Sequence, residues 1–197
     1  PLTYYLANAF DLLPGLGIVG AVKTVFVSGL LLSAVGAYLL GRELFSPAGG
    51  LIAAASFTFA PYVVFIDPHV RGVLAEHFAI CLLPWVFYAY HRLMKGHKWA
   101  LLGSVLALSA MILSHNLMGL AAIGLTIAYW LWHGWFIPRK TWLARGMLAL
   151  ALALGLTAFF TLPFLLERGA IQMNVIGAGH FDYRENFLTL SELLSPS

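Results

Sequence analysis

Charge is what this sequence has least of. Only 10% of its 197 residues are Asp, Glu, Lys or Arg, against roughly 25% in a soluble domain, which excludes an ordinary water-exposed globular surface. Cysteine is almost missing too. Cys81 stands alone in an apolar run, so neither a disulfide framework nor a cysteine-based metal site can be built. No internal repeat is evident, and no paired broken-helix repeat of the inverted-repeat carrier kind, which disfavours a transporter. No basic-apolar-small leader stands ahead of Pro1, so no signal peptide is read. Both ends read as cut, and the chain is expected to be part of a longer protein.

Apolar residues are what there is. They make up 61% of the chain, with 14% aromatic and a mean hydropathy of +0.87. Several runs approach the ~20 residues that cross a bilayer as a helix. The fold class this implies is all-α: a polytopic transmembrane helical bundle, with membrane lipids as its first partners. The formal charge of +3 is then topology rather than a nucleic-acid footprint, since basic residues in such proteins mark one side of the membrane.

Six segments mark the spans, at about 18–40, 49–66, 73–92, 99–113, 117–136 and 146–166, forming a transmembrane domain over 1–166. The remainder, 167–197, is too polar to cross and reads as an outer-face amphipathic segment. The stretch from Trp99 to Phe136 has 38 residues; as one helix it would run ~57 Å at 1.5 Å per residue, nearly twice the ~30 Å hydrocarbon core. It is therefore split at His115-Asn116. With that parity, Arg42, Arg92, Lys95, Lys98, Arg139, Lys140 and Arg145 fall on one side, seven of eleven cations, and that side reads as cytoplasmic. Of the acids only Glu43 joins them; Asp11, Asp67, Glu76 and the acids of the closing segment lie on the other side. Lys23 sits within the first span, nearer its outer end.

The densest polar stretch is DPHVRGVLAEH, residues 67–77. Asp67-Pro68 has the form of an N-cap followed by a first helical position. A helix starting there would align His69, Gly72 and Glu76 on one stripe, with Arg71 beside an N-terminus suited to a phosphate or pyrophosphate. The plainer alternative is a cap at Asp67 and a lipid head-group contact at Arg71. Glu76 lies inside an apolar run, where an acid costs up to ~3 kcal/mol on insertion scales. It requires a partner, and His77, His115 and Arg71 are the candidates.

A second constellation, Ser114-His115-Asn116, occupies the outer turn of a short hairpin. It fits sugar hydroxyls or phosphate, or else a cap at Asn116 with His115 on a carbonyl. His133, among Trp130, Trp132 and Trp135, is assigned to an interfacial aromatic belt rather than to a tetrapyrrole; no metal and no cofactor is expected. Pro84 and Pro163 inside spans suggest kinks.

PLTYYLANAF, GAYLLGREL, APYVVFIDPHVRGVLAEHFAICLLPWVF, ILSHN and FDYRENFLTLSELLS follow one another in this order. The combination of RG-x-x-x-E with the SHN turn resembles a family of bacterial and archaeal integral membrane proteins labelled 6-pyruvoyl-tetrahydropterin synthase-related. The label implies no pterin chemistry. These proteins resemble type C membrane glycosyltransferases, and the resemblance covers nearly the whole chain. It implies a polyprenyl-phosphate-sugar donor, a bacterial cytoplasmic (inner) membrane location with the polar motifs on the outer face, and a binding site lined by Arg71 and Glu76 with His115 and Asn116. Asp67 and His69, from the same polar stretch, join them as lipid-phosphate or sugar-binding candidates.

One departure matters. Type C enzymes usually carry their catalytic Asp in a first outer loop, and PLTYYL corresponds to the region after it. No motif promotes Asp11 to that role, and no catalytic residue is assigned. Two classes therefore stay open: a glycosyltransferase-like protein, or a non-catalytic integral subunit of a larger complex, such as a respiratory or photosynthetic electron-transfer assembly.

Overall fold

The computed structural model describes residues 1–136 and 141–167, together with 169, 189 and 191. The closing segment 167–197 therefore lies almost wholly outside the described residues, as do Arg139 and Lys140. The described chain is helical nearly throughout: α1 (Leu2–Asp11), α2 (Gly17–Leu44), α3 (Pro47–Thr58), a π-helical segment (Tyr62–Arg71), α4 (Leu74–Met94), α5 (Ala100–Ser114), α6 (Asn116–Trp135) and α7 (Thr141–Leu166). Residues 1–159 form one compact unit and 160–197 a second; the packing below concerns the first.

Each of the six apolar segments is helical. The break at SPAGG is a capped helix start: Ser46 Oγ accepts the Gly49 N–H at 3.1 Å, and Pro47 occupies the first helical position, where its missing N–H costs nothing. The split at His115 holds as well, with α5 ending at Ser114 and α6 beginning at Asn116. Pro84 and Pro163 lie inside α4 and α7. Helix α1 has no counterpart among the six segments.

Among the described residues four helices are long and apolar enough to cross a membrane: α2, the run Pro47–Arg71 formed by α3 and the π-helical segment, α6 and α7. The other two differ for separate reasons. Helix α5 has 15 residues, ~22 Å of rise. Helix α4 is long but polar at both ends, with Glu76 and His77 at one and His91 and Arg92 at the other. It is also the enclosed helix, since it packs against α1, α2, α5, α6 and the π-helical segment. Protein rather than lipid surrounds its polar groups, the arrangement that tolerates them inside a membrane.

Small residues set the helix separations, as is usual where lipid offers no hydrophobic drive for association. At Gly36 a Cβ would lie 2.7 Å from the Trp85 ring, so the indole of α4 lies flat on α2 and donates to Leu32 O at 2.7 Å. Between α6 and α7 the exchange is reciprocal: Trp130 covers Gly146 and Trp142 covers Gly134, with the two rings 5.5 Å apart edge to face. Because a Cβ at Gly146 would clash with the Trp130 ring, Gly146→Val is expected to cost about 2 kcal/mol through overpacking. Thermal unfolding in detergent should show a clear fall in midpoint, whereas Gly124→Ala, which meets nothing within 4 Å, should leave it unchanged.

Candidate functional site

The polar stretch 67–77 does not begin a helix at Asp67. Helix α3 stops at Thr58, and after Pro61 the backbone resumes in the wider π winding, which carries Asp67 and Pro68 in its interior. Pro68 has no N–H to give to an α-helical ladder. The segment ends at Gly72, whose φ of +64° lies in the left-handed region that glycine adopts without penalty. The Gly72 N–H and, at 3.3 Å, the Val73 N–H both donate to Asp67 O, closing the last turn in the manner of a glycine C-cap. Helix α4 then starts at Leu74. The N-cap reading of Asp67 is thus corrected, and with it the single stripe of His69, Gly72 and Glu76, which straddle two elements.

What the break assembles is a four-residue cluster. Arg71 Nη1 and Nη2 reach Glu76 Oε1 and Oε2 at 2.7 and 2.9 Å, a bidentate pair and so the strong form of the interaction. Arg71 Nη1 also reaches Asp67 Oδ1 at 3.1 Å. The Tyr62 hydroxyl donates to Glu76 Oε1 at 2.7 Å and accepts from Arg71. Nine residues of α-helix make about two and a half turns, which would put Tyr62 and Arg71 on opposite faces. The wider i→i+5 winding brings them together instead. Glu76 is 8% exposed and Asp67 fully buried; Asp67 Oδ2 has no hydrogen-bond partner among the described residues. Glu76 also stands in the first turn of α4, where the helix dipole favours an acid.

Two further residues from the sequence reading fall elsewhere. His115 is within coulombic range of Glu76, but its Nδ1 accepts the Met118 N–H at 3.3 Å, so His115, and not Asn116, caps α6. Asn116 Oδ1 takes the adjacent Leu117 N–H at 2.8 Å, and among the described residues no contact ties it to Arg71 or Glu76. His77 turns away from Glu76, with Nε2 3.3 Å from Phe26 O.

His69 joins a different feature. With Pro68 it lines a groove of about 570 Å³ against one face of α2, formed by Ile18, Val19, Val22, Phe26, Val27 and Leu30 with Lys23 among them. Lys23 has no carboxylate partner among the described residues. A second cavity, about 600 Å³, shares Ile18 and Val22 with the groove and is lined also by Tyr4, Asn8, Gly72 and Leu74. Sequence reading missed Tyr62, Tyr4 and Asn8; the last two sit in PLTYYLANAF, where their i, i+4 spacing on one helix face was the available signal. Within the span 73–92, His91 is buried in α4 and its Nδ1 lies 2.9 Å from the Tyr129 hydroxyl. Among the described residues no group of three or more His, Cys, Asp or Glu is placed to hold a metal ion.

A multi-pass, all-helical integral membrane protein is the class that these apolar helices and their enclosed polar core define. The family described as "6-pyruvoyl-tetrahydropterin synthase related domain; membrane protein" matches residues 1–196, and the chain belongs to it. No curated protein and no solved structure matches the chain significantly.

The Tyr62 hydroxyl bond to Glu76 has a measurable weight. Tyr62→Phe is expected to cost about 1 kcal/mol, the net worth of one such bond. In the Glu76→Gln background the same change should cost clearly less. A double-mutant cycle on unfolding midpoints reads the coupling, and simple additivity would contradict it.

Proposed function

We propose that the chain binds a lipid-linked phosphate at one membrane face, with the lipid chain in the α2 groove and a polar head group, a sugar in the simplest case, in the adjoining cavity. The observation that carries this reading is the groove: an apolar trough with His69 and Lys23, a cation with no carboxylate partner among the described residues, on its wall. A lone ionisable residue within a span is costly and marks a pathway or ligand more often than a structural role; the plainer account of Lys23 is snorkelling to head groups. Adjacency favours the ligand, because Ile18 and Val22 belong to both cavities. Tyr4 and Asn8 offer an aromatic face and an amide, the groups that suit carbohydrate.

In this reading the phosphate meets Lys23 and His69. Arg71 is less suited to it than its charge suggests, since Asp67 and Glu76 together outweigh its one positive charge. Its role is to hold, with Asp67 and Glu76, the break whose Gly72 and Leu74 border the cavity. Six crossings, with this end of the bundle on the outer side of a bacterial inner membrane, follow the distribution of cations. Donor binding of this kind is what a type C glycosyltransferase-like protein requires. A catalytic base is not assigned.

The same neutralised Arg71 favours a second reading, a non-catalytic subunit in which the cluster is a structural clamp; stoichiometric co-purification with other membrane subunits is its mark. The test of the first is a binding comparison in detergent between a polyprenyl phosphate and the corresponding polyprenol. The phosphate is expected to bind at least tenfold more tightly, and Lys23→Gln with His69→Gln should erase most of that difference. Equal affinity for the two lipids contradicts the proposal.

A further inference from the structure

We propose that the other end of the bundle holds an anionic phospholipid, with an acyl chain in a slot between α4 and α5 and its phosphate at Lys98 and His97. The slot is about 440 Å³ and mostly apolar. Trp85, Tyr88 and Ala89 of α4 form one wall. Ala100, Gly103 and Ala107 form the other, small residues on one face of α5 that leave depth for a hydrocarbon chain. Trp85 is anchored to α2 through Leu32 O, so that wall is rigid.

A row of small residues is not a site, but its mouth is charged. Arg92, His97, Lys98 and Trp99 close the slot at one end. Arg92 and Lys95 share a single carboxylate, Glu43, at 3.2 and 3.1 Å. Lys98 has no carboxylate partner among the described residues, and its Nζ lies 5.5 Å from the Trp99 ring centre. Arg145 Nη1 comes within 3.5 Å of where a Cβ would stand on Gly96. Among the described residues, four cations (Arg92, Lys95, Lys98 and Arg145) against one acid leave this corner positive, and an anion is its complement. The hydrogen bonding agrees: Arg92 Nη2 donates to His97 Nδ1 at 3.0 Å, which puts the ring proton on Nε2, a donor still available to a phosphate oxygen.

A basic pocket between helices at the end rich in Lys and Arg is the setting in which anionic head groups bind. Trp99, 70% exposed at the rim, suits the interfacial depth of a glycerol backbone. This site is separate from the α2 groove, and neither proposal depends on the other.

The rim and wall tryptophans supply the readout. The protein in phosphatidylcholine nanodiscs is titrated with phosphatidylglycerol, or with phosphatidylcholine, each carrying brominated acyl chains, and tryptophan quenching is followed. Phosphatidylglycerol should half-saturate at a mole fraction about fivefold lower, the weight of one cation at a membrane surface. Trp99→Phe should remove most of the preferential component, which assigns it to this slot. Lys98→Gln, at an exposed position, should bring the two lipids close to parity. Gly103→Leu is a steric control that keeps the charges; its Cβ would touch only the Ala89 Cβ at 3.9 Å, and it should abolish the component with the helical circular dichroism unchanged. Identical quenching by the two lipids in the wild type means a neutral lipid annulus only and overturns the proposal. A preference that survives Lys98→Gln overturns it as well.

Discussion

The bidentate pairing of Arg71 with Glu76 is the interaction on which the polar end of this bundle depends. A nearly buried acid at the start of an enclosed helix needs a cation, and no continuous α-helix through 67–77 would supply one in this geometry. The chain meets the need by breaking at Gly72, so that Arg71 closes one element and Glu76 opens the next. The π winding before the break lets Tyr62 reach both, and the Asp67 carbonyl ties off the turn. Removing any of these leaves a carboxylate short of partners where water is scarce.

From that break the division of labour among the helices follows. Helix α4 departs into the middle of the bundle and keeps its ionisable groups among protein atoms. The helices around it meet lipid and are correspondingly apolar. Their separations are set by indoles lying against glycines, contacts with no tolerance for a side chain. The two ends of α4 then acquire opposite electrostatics: carboxylates prevail around Glu76, cations around Arg92. The two charged ends of this one enclosed helix stand about 24 Å apart from residue 76 to residue 92 at α-helical rise. Its basic end walls the proposed phospholipid slot, while the proposed lipid-phosphate groove is built on α2.

The parts of this arrangement legible in the sequence were those written in hydrophobic length and turn chemistry. The helices α2, α6 and α7 and the split at His115 were all visible there. The π-helical segment was not, because an i→i+5 winding leaves no periodicity distinct from an α-helix over so few turns. Asp67-Pro68 has the form of a helix start, yet the capping decision belongs to Gly72, whose backbone conformation only the fold reveals. The partner of Glu76 was among the candidates, but Tyr62 was not, since its nine residues of separation from Arg71 look like opposite faces. His115 and Asn116 exchanged expected roles for a local reason: the imidazole Nδ1 reaches the third amide of the helix, while the shorter amide folds onto its neighbour. The α2 groove needed two elements to be seen together, and only Lys23 hinted at it.

In the proposed reading the groove on α2 is where a lipid phosphate lies. The most direct measurement is photo-crosslinking with a polyprenyl phosphate bearing a diazirine near the phosphate, followed by peptide mapping. Labels concentrated on residues 18–30 of α2 and on Pro68–His69, competed by unlabelled polyprenyl phosphate, are the predicted result. Labels spread over the lipid-facing helices, or insensitive to the competitor, would contradict it.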